Sequence, residues 1–336
     1  MTWTRLQHRL FTTSVWLRHE NPLGLPRKSA GPGAPQIPRR GGPIQKRAIP
    51  HVRKVVVVAS GKGGVGKSTL AVNLAMALAL HRPSTQQARL RVGILDLDIF
   101  GPSVPKLMGL ERSEEPHLTA GGALIPMVNH GLACMSMGFL LPRSPSGDTS
   151  EDTAIVWRGL MVQKAVQQLL FDVDWRADAG NEAHTHGPGL DVLVVDMPPG
   201  TGDVPLTLGQ LVQVDGSVIV STPQDVALSD VRKGIAMFRK VSVPVAGVVL
   251  NQSHFICPSC STHHPLFGSP EHFRQTVLGL GIPVLGEFPL VPGVSTSGDA
   301  GIPFELAHSA SNEPGAKEWK GIMANVAGDV LRWIGL

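Results

Sequence analysis

"VVVVASGKGGVGKSTLAVNLA", Val55–Ala75, sets a β-branched run, a glycine-rich turn and a helical pattern in one unbroken line. The first segment, Val55–Ala59, carries no charged or polar position, as expected of a strand covered on both faces. The last repeats apolar residues at helical spacing and predicts a helix over Ser68–Leu80. Between them Gly61, Gly66, Lys67 and Ser68 fit G-x-x-x-x-G-K-[ST] in the strand–loop–helix context that gives this motif its meaning. Glycines let backbone N–H groups turn inward around phosphate oxygens, and the helix N-terminus adds its positive partial charge. The whole turn, Gly61-Lys62-Gly63-Gly64-Val65-Gly66-Lys67-Ser68-Thr69, is therefore read as the cradle of ATP. Lys67 is expected to reach the β- and γ-phosphates, and the Ser68 hydroxyl to bind Mg²⁺.

The turn holds a second lysine, Lys62. Within its own loop it would crowd Lys67, since two cations on one phosphate group repel. It is better placed reaching outward, to the nucleotide of a neighbouring subunit, where it would neutralise transition-state charge as an arginine finger does in trans. A solvated loop lysine is the plain alternative. "KGGVGKST" resembles the deviant phosphate loop of the MinD/Mrp class of dimerising ATPases, and that resemblance implies a homodimer in which Lys62 contacts the partner's nucleotide.

Outward from the loop, short apolar runs alternate with helical patterns. Strands are expected at Val92–Asp96, Val192–Asp196, Ser217–Ser221, Val245–Leu250 and Val284–Pro289, and helices at Leu160–Phe171, Leu206–Val212, Val226–Lys240 and Glu313–Ile334. Trp319, Ile322, Val326, Val330 and Trp333 would form one apolar face of the last helix. Ala123–Met137 reads as a hairpin turning at His130-Gly131. Arg176–Gly189 reads as a polar insertion. The alternation predicts an α/β fold: a mostly parallel, doubly wound phosphate-loop NTPase sheet with helices on both faces.

Strand ends supply the other nucleotide-site candidates. In "ILDLDIFGPS" a carboxylate can orient water near the γ-phosphate; the resemblance to the MinD/Mrp class implies that this segment supplies the residue that positions the attacking water, and Asp98 is chosen for it, Asp96 being as well read as a structural strand-end acid. "VLVVDMPPGTGD" ends a strand at Asp196, expected to act on Mg²⁺ through its water shell, while Gly200 and Gly202 would let backbone N–H groups approach the γ-phosphate. Asn251 closes another strand; by itself it is an ordinary turn residue, and the family resemblance makes it a contact to the base.

Charge is distributed unevenly. Residues 1–54 hold 11 Lys/Arg and one acid, Glu20, leaving 19 basic against 25 acidic residues in 55–336. The acidic body argues against a nucleic-acid-binding face. Residues 1–50 divide into an arginine-bearing, acid-poor amphipathic leader, the composition of a mitochondrial transit peptide, and a Pro/Gly-rich linker. Residues 51–336 form the ATPase domain, expected in the mitochondrial matrix. No apolar run is long enough to span a bilayer.

The three cysteines are too few for a disulfide framework. Cys134 falls in the hairpin and reads as a small core residue. Cys257-Pro-Ser-Cys260 is half of a tetrahedral metal site. Three readings are open: a redox dithiol, a zinc site completed by His263 and His264, or two CxxC pairs meeting across a dimer around an iron–sulfur cluster.

"WRGLMVQKAVQQLLFDVDW", "VVDMPPGTGDVPLTL", "NQSHFICPSC" and "SGDAGIPF" resemble the Mrp-type family of iron–sulfur scaffold phosphate-loop ATPases, over roughly Val52–Ala307. The family more often has Met where this chain has Gln252. The resemblance implies a [4Fe–4S] cluster held between two protomers by Cys257 and Cys260 and passed to apoproteins; with the leader, it points to the mitochondrial branch and to subunits of respiratory complex I. A MinD-like positioning ATPase and a zinc-stabilised nucleotide-binding module are the alternative functions. The first would need a membrane-binding C-terminal helix, and the last helix here has few basic residues.

Overall fold

The computed structural model describes residues 45–82, 89–99, 101–140, 159–176, 187–307 and 313–336. The leader and most of the expected 176–189 insertion lie outside them. In chain order the elements are β1 (Val52–Ser60), α1 (Lys67–Leu80), β2 (Val92–Asp96), α2 (Val104–Leu107), β3 (Met127–Asn129), β4 (Leu132–Ser136), α3 (Gly159–Phe171), β5 (Leu190–Asp196), α4 (Asp203–Leu211), β6 (Gly216–Ser221) and α5 (Asp225–Lys240). They continue with β7 (Val245–Leu250), β8 (Phe255–Ile256), β9 (His263–His264), α6 (Pro270–Gly279), β10 (Val284–Glu287), α7 (Pro292–Asp299) and α8 (Ala316–Ile334).

Among the described residues eight strands form one sheet in the order β10-β7-β6-β1-β5-β2-β4-β3, parallel except for the β3–β4 hairpin. Consecutive positions of β1, β2, β5 and β6 are buried, so both faces of the sheet are covered, as their unbroken apolar runs require. On one face α1 and α8 pack together, bringing Leu70, Leu74, Met323 and Val326 against Val58, Val218 and Val249. The hairpin turns at His130 and Gly131, both left-handed. It buries Cys134 completely, and burial pushes that thiol up to about 12, so it is an inert core group.

The expected apolar face of α8 needs one correction. Trp319, Val326 and Val330 are buried, together with Met323, Ala327, Leu331 and Ile334, whereas Trp333 is half exposed. Its indole N–H instead donates to the Asp215 carbonyl at 3.2 Å. The 3.6-residue repeat carries position 333 past the edge of the stripe. Trp319 is wedged between Phe288 and Phe304, with ring centroids 5.0 and 5.1 Å away. Helices α2, α6 and α7 and the short β8–β9 ladder were not anticipated. The N-terminal boundary of α4 also lies earlier than expected, at Asp203.

A half-buried acid sits beside this cluster. Glu305 donates its backbone N–H to Asn73 Oδ1 at 3.0 Å, but its carboxyl Oε1 has no hydrogen-bond partner among the described residues. The nearby Lys320 ammonium is directed to the Glu305 and Ala307 carbonyls instead. Burial pushes the Glu305 carboxyl up to about 7. A carboxyl raised on folding is best tolerated while protonated, so its contribution is favourable at low pH and is lost as pH rises from about 4.5 to about 7. Glu305→Gln should therefore flatten the pH dependence of stability in that window and gain on the order of 1–2 kcal/mol at pH 8. Denaturant unfolding at pH 5 and pH 8 checks this; an unchanged slope with pH would contradict it.

Candidate functional site: a phosphate cradle and a cysteine hairpin

The parallel sheet gathers the C-terminal ends of β1, β5, β2, β6 and β7 on one edge, where ligands bind in open α/β sheets. Ser60, Asp196, Asp96, Ser221 and Asn251 therefore arrive together from distant parts of the chain. Gly64 and Gly66 take positive φ of 77° and 82°, turning the loop into α1. Gly61 lies against the backbone and Cβ of Asp230 on α5, where any side chain would clash. A cleft of about 440 Å³ opens over the loop, lined by Gly64, Lys67, Ser68, Asp98 and Pro199 among others.

Lys67 is buried, with its ammonium 2.5 Å from Asp196 Oδ1 and 3.0 Å from Ser68 Oγ. Burial pushes the Asp196 carboxyl up, against the pull of Lys67 and Ser68. Asp196 Oδ2 is buried and has no partner among the described residues. An orphaned carboxylate oxygen beside a serine hydroxyl at the mouth of a phosphate loop fits a hydrated Mg²⁺. Ser68 would hold that ion directly and Asp196 through its water, supplying charge neutralisation at the phosphates.

Asp96 and Asp196 are register partners at the ends of β2 and β5. Asp96 is fully buried and accepts from Asp98 N–H (2.9 Å), Val104 N–H (3.1 Å) and Ser136 Oγ (3.1 Å). Burial, reinforced by Asp196, pushes it up to about 7. Its role is thus structural: it pins both ends of the loop that presents Asp98. Asp98 itself lines the cleft.

The Gly200 N–H donates to the Ser60 carbonyl at 2.8 Å, which ties the loop after β5 to the end of β1. Lys62 and Lys67 both line the cleft but have different partners. The Lys62 ammonium donates to Gln224 Oε1 at 2.7 Å, at the N-terminus of α5. Gln224 was not picked out from sequence, since nothing local marks a glutamine 162 residues away as a lysine's partner.

Asn251 donates its side-chain amide to the Val65 carbonyl at 2.9 Å and thus braces the phosphate loop from the end of β7. The chain then runs directly into the cysteine segment. Cys257 N–H bonds the Thr262 carbonyl at 3.0 Å, closing a small turn between β8 and β9. Cys257 is half-buried and Cys260 exposed. Their sulfurs and a His264 ring nitrogen lie within 4.8 Å of one another. The Thr262 hydroxyl, 3.2 Å from Cys260 Sγ, and the Thr262 backbone draw that thiol below its ordinary value, toward the thiolate that metals require. His263, the other candidate for a zinc site, does not join the cysteines. It stacks on His254, with centroids 4.4 Å apart. Burial, then the adjacent His263, pushes His254 below the usual imidazole range.

The far end of the hairpin also meets the nucleotide side. At Gly268, with φ of 121°, a Cβ would stand 3.3 Å from the Pro223 carbonyl, immediately before Gln224. The cysteine segment thus lies between Asn251, which is bonded to the phosphate loop, and Gly268, which lies close to Pro223, the residue before Gln224.

Comparison with known proteins places the chain among iron–sulfur cluster transfer proteins with a phosphate loop. A mouse protein named iron-sulfur cluster transfer protein NUBPL is 47% identical over 298 residues, 88% of this chain and 82% of its own. An Arabidopsis thaliana protein named iron-sulfur protein required for NADH dehydrogenase, mitochondrial, is 41% identical over 81% of this chain and 77% of its own. Among solved structures, a nucleotide-binding protein of Archaeoglobus fulgidus in complex with ADP superposes with a TM-score of 0.57 at 30% identity, covering 80% of this chain and 92% of that one. The ParA-type family model described as NUBPL iron-transfer P-loop NTPase matches residues 51–327, and the chain belongs to that family.

Proposed function

We propose that this protein is an ATP-binding carrier that assembles a [4Fe–4S] cluster between two copies of the chain and delivers it to apoproteins, among them subunits of respiratory complex I. The cluster is cargo, not a resident group. Each protomer offers Cys257 and Cys260, so four thiolates require two protomers. The observation that carries the reading is the bracketing of the cysteine hairpin by Asn251 and Gly268. A movement of the phosphate loop would reach this segment through Asn251, and one of the Pro223–Gln224 segment would reach it through Gly268.

The chain's own residues suggest how nucleotide gates this. Before ATP arrives Lys67 neutralises Asp196. The β- and γ-phosphates compete for the same ammonium, which would draw Lys67 toward the loop and leave the Asp196 carboxylate free to act on a bound Mg²⁺, an ion that would supply charge neutralisation. Asp98, presented by the loop that Asp96 pins, orients the attacking water. Lys62 exchanges Gln224 for the partner's nucleotide, and this exchange lets ATP favour the dimer. Asn251 holds the loop and, from the same strand end, the base. Residues 1–50 would carry the chain to the mitochondrial matrix, in keeping with the mitochondrial relative.

The test is iron, sulfide and mass measured on one anaerobically reconstituted sample. Four iron and four sulfide per dimer, lost on dissociation, are expected. One zinc on a monomer without sulfide would instead support the module held by Cys257, Cys260 and His264. Lys62→Ala should leave nucleotide binding to the monomer within about threefold while weakening analogue-dependent dimerisation at least about tenfold, the worth of one charge-assisted contact. Light scattering with a non-hydrolysable analogue reads this. Loss of monomer binding with dimerisation intact would refute the trans role.

A further inference from the structure

A second cluster of ligand-type side chains lies beside the cysteine pair and shares no residue with it. His254, His263 and Glu318 bring one potential ligand atom each to within 4.8 Å of one another. They come from three places: the segment between β7 and β8, strand β9, and the first turn of α8.

The tautomer of His254 is set by its neighbours. Ser253 is fully buried, and its hydroxyl lies 3.0 Å from the Phe288 carbonyl and 2.9 Å from His254 Nδ1. A carbonyl can only accept, so the hydroxyl proton goes to Phe288 and the serine oxygen accepts from Nδ1–H. The lone pair of the neutral ring is then on Nε2. That atom is buried, has no hydrogen-bond partner among the described residues, and faces Glu318 Oε1 at 3.6 Å. A lone pair set against a carboxylate is repulsive unless a proton or a metal cation stands between them, and burial disfavours the protonated ring. The other carboxylate nearby, Glu287, is already held by Arg274 at 2.5 and 2.8 Å. His263 lies over the His254 ring at an interplanar angle of 12° and supplies a second imidazole.

We propose that His254, His263 and Glu318 bind a borderline divalent transition-metal ion of the Zn²⁺ class, with its fourth position open to water or an incoming ligand. Two imidazoles and a carboxylate suit such ions, and three protein ligands leave one position free. His254 is the fixed member, oriented through Ser253 as metal-bound histidines are oriented by a partner on the other nitrogen. His263 and Glu318 are both exposed, and His263 would have to turn out of its stack on His254 to close on the ion. The ion would staple strand β9 to α8, and so fix the hairpin that carries Cys257 and Cys260. The site stands independently of whether those cysteines hold a cluster.

The experiment uses the full-length chain carrying Cys257→Ser and Cys260→Ser, which removes every thiolate competitor on the hairpin. Equilibrium dialysis against Co²⁺ should give one ion per chain, with ligand-field absorption of nitrogen and oxygen donors, no thiolate charge-transfer band, and displacement by Zn²⁺. Adding His254→Ala or Glu318→Gln should weaken binding more than about 100-fold, beyond the cost of losing only an orienting partner. Ser253→Ala should cost roughly 10–100-fold, and His264→Ala should cost nothing. Glu318 is on the surface, so its variant separates ligand loss from misfolding. Absence of stoichiometric binding, or binding that survives both His254→Ala and Glu318→Gln, overturns the assignment.

Discussion

Replacing Lys67 with alanine is expected to weaken ATP binding by roughly 10²–10³-fold, the worth of two charge-assisted contacts to the β- and γ-phosphates. The same substitution strips Asp196 of its partner. Breaking a buried ion pair from one side typically costs about 3–5 kcal/mol, so thermal stability should fall as well. The two effects separate in the Lys67→Ala, Asp196→Asn double variant. Removing the buried carboxylate charge should restore most of the stability while binding stays lost. Calorimetric titration with a non-hydrolysable analogue, alongside a melting curve, reads both quantities. A Lys67→Ala protein that binds nucleotide within threefold of the parent would show that the lysine is held by Asp196 for structural reasons alone.

The second large effect concerns the cysteines. Cys257→Ser or Cys260→Ser alone removes two of four thiolates from the proposed dimeric site, because each substitution is repeated in both protomers. Stable cluster loading should fall to near background in either variant, measured as iron and sulfide per dimer after anaerobic reconstitution. Nucleotide binding should be retained, since neither sulfur lines the cleft over the phosphate loop. Cys134→Ser is the matched control. Its thiol is fully buried in β4, so serine there should cost on the order of 1 kcal/mol of stability and leave loading intact. His264→Ala divides the two metal readings: a four-thiolate cluster survives it, whereas a monomeric site of Cys257, Cys260 and His264 loses one ligand in three. If loading tolerates the loss of either cysteine, the shared-cluster reading fails.

Much of this protein was determined by local sequence. Val55–Ala59 could only be a doubly covered strand, because it has no polar residue to offer solvent, and the following glycines and Lys67-Ser68 could then only be a phosphate loop at a helix start. The parallel sheet, the hairpin at His130-Gly131 and the buried Cys134 followed from period and turn chemistry, which act over a few residues. What the chain could not announce were partners decided by strand order. Asp96 and Asp196 become neighbours only because β2 and β5 pair, and that pairing assigns Asp96 to holding backbone N–H groups and Asp196 to Lys67. Gly200 turns its N–H to Ser60, and Lys62 reaches Gln224, through the same long-range docking. Adjacent His263 and His264 are equivalent on paper, but successive side chains on a strand point to opposite sides. The β8–β9 pairing therefore sends His264 to the cysteines and His263 to His254 and Glu318, a separation that no spacing rule contains and that only the folded hairpin decides.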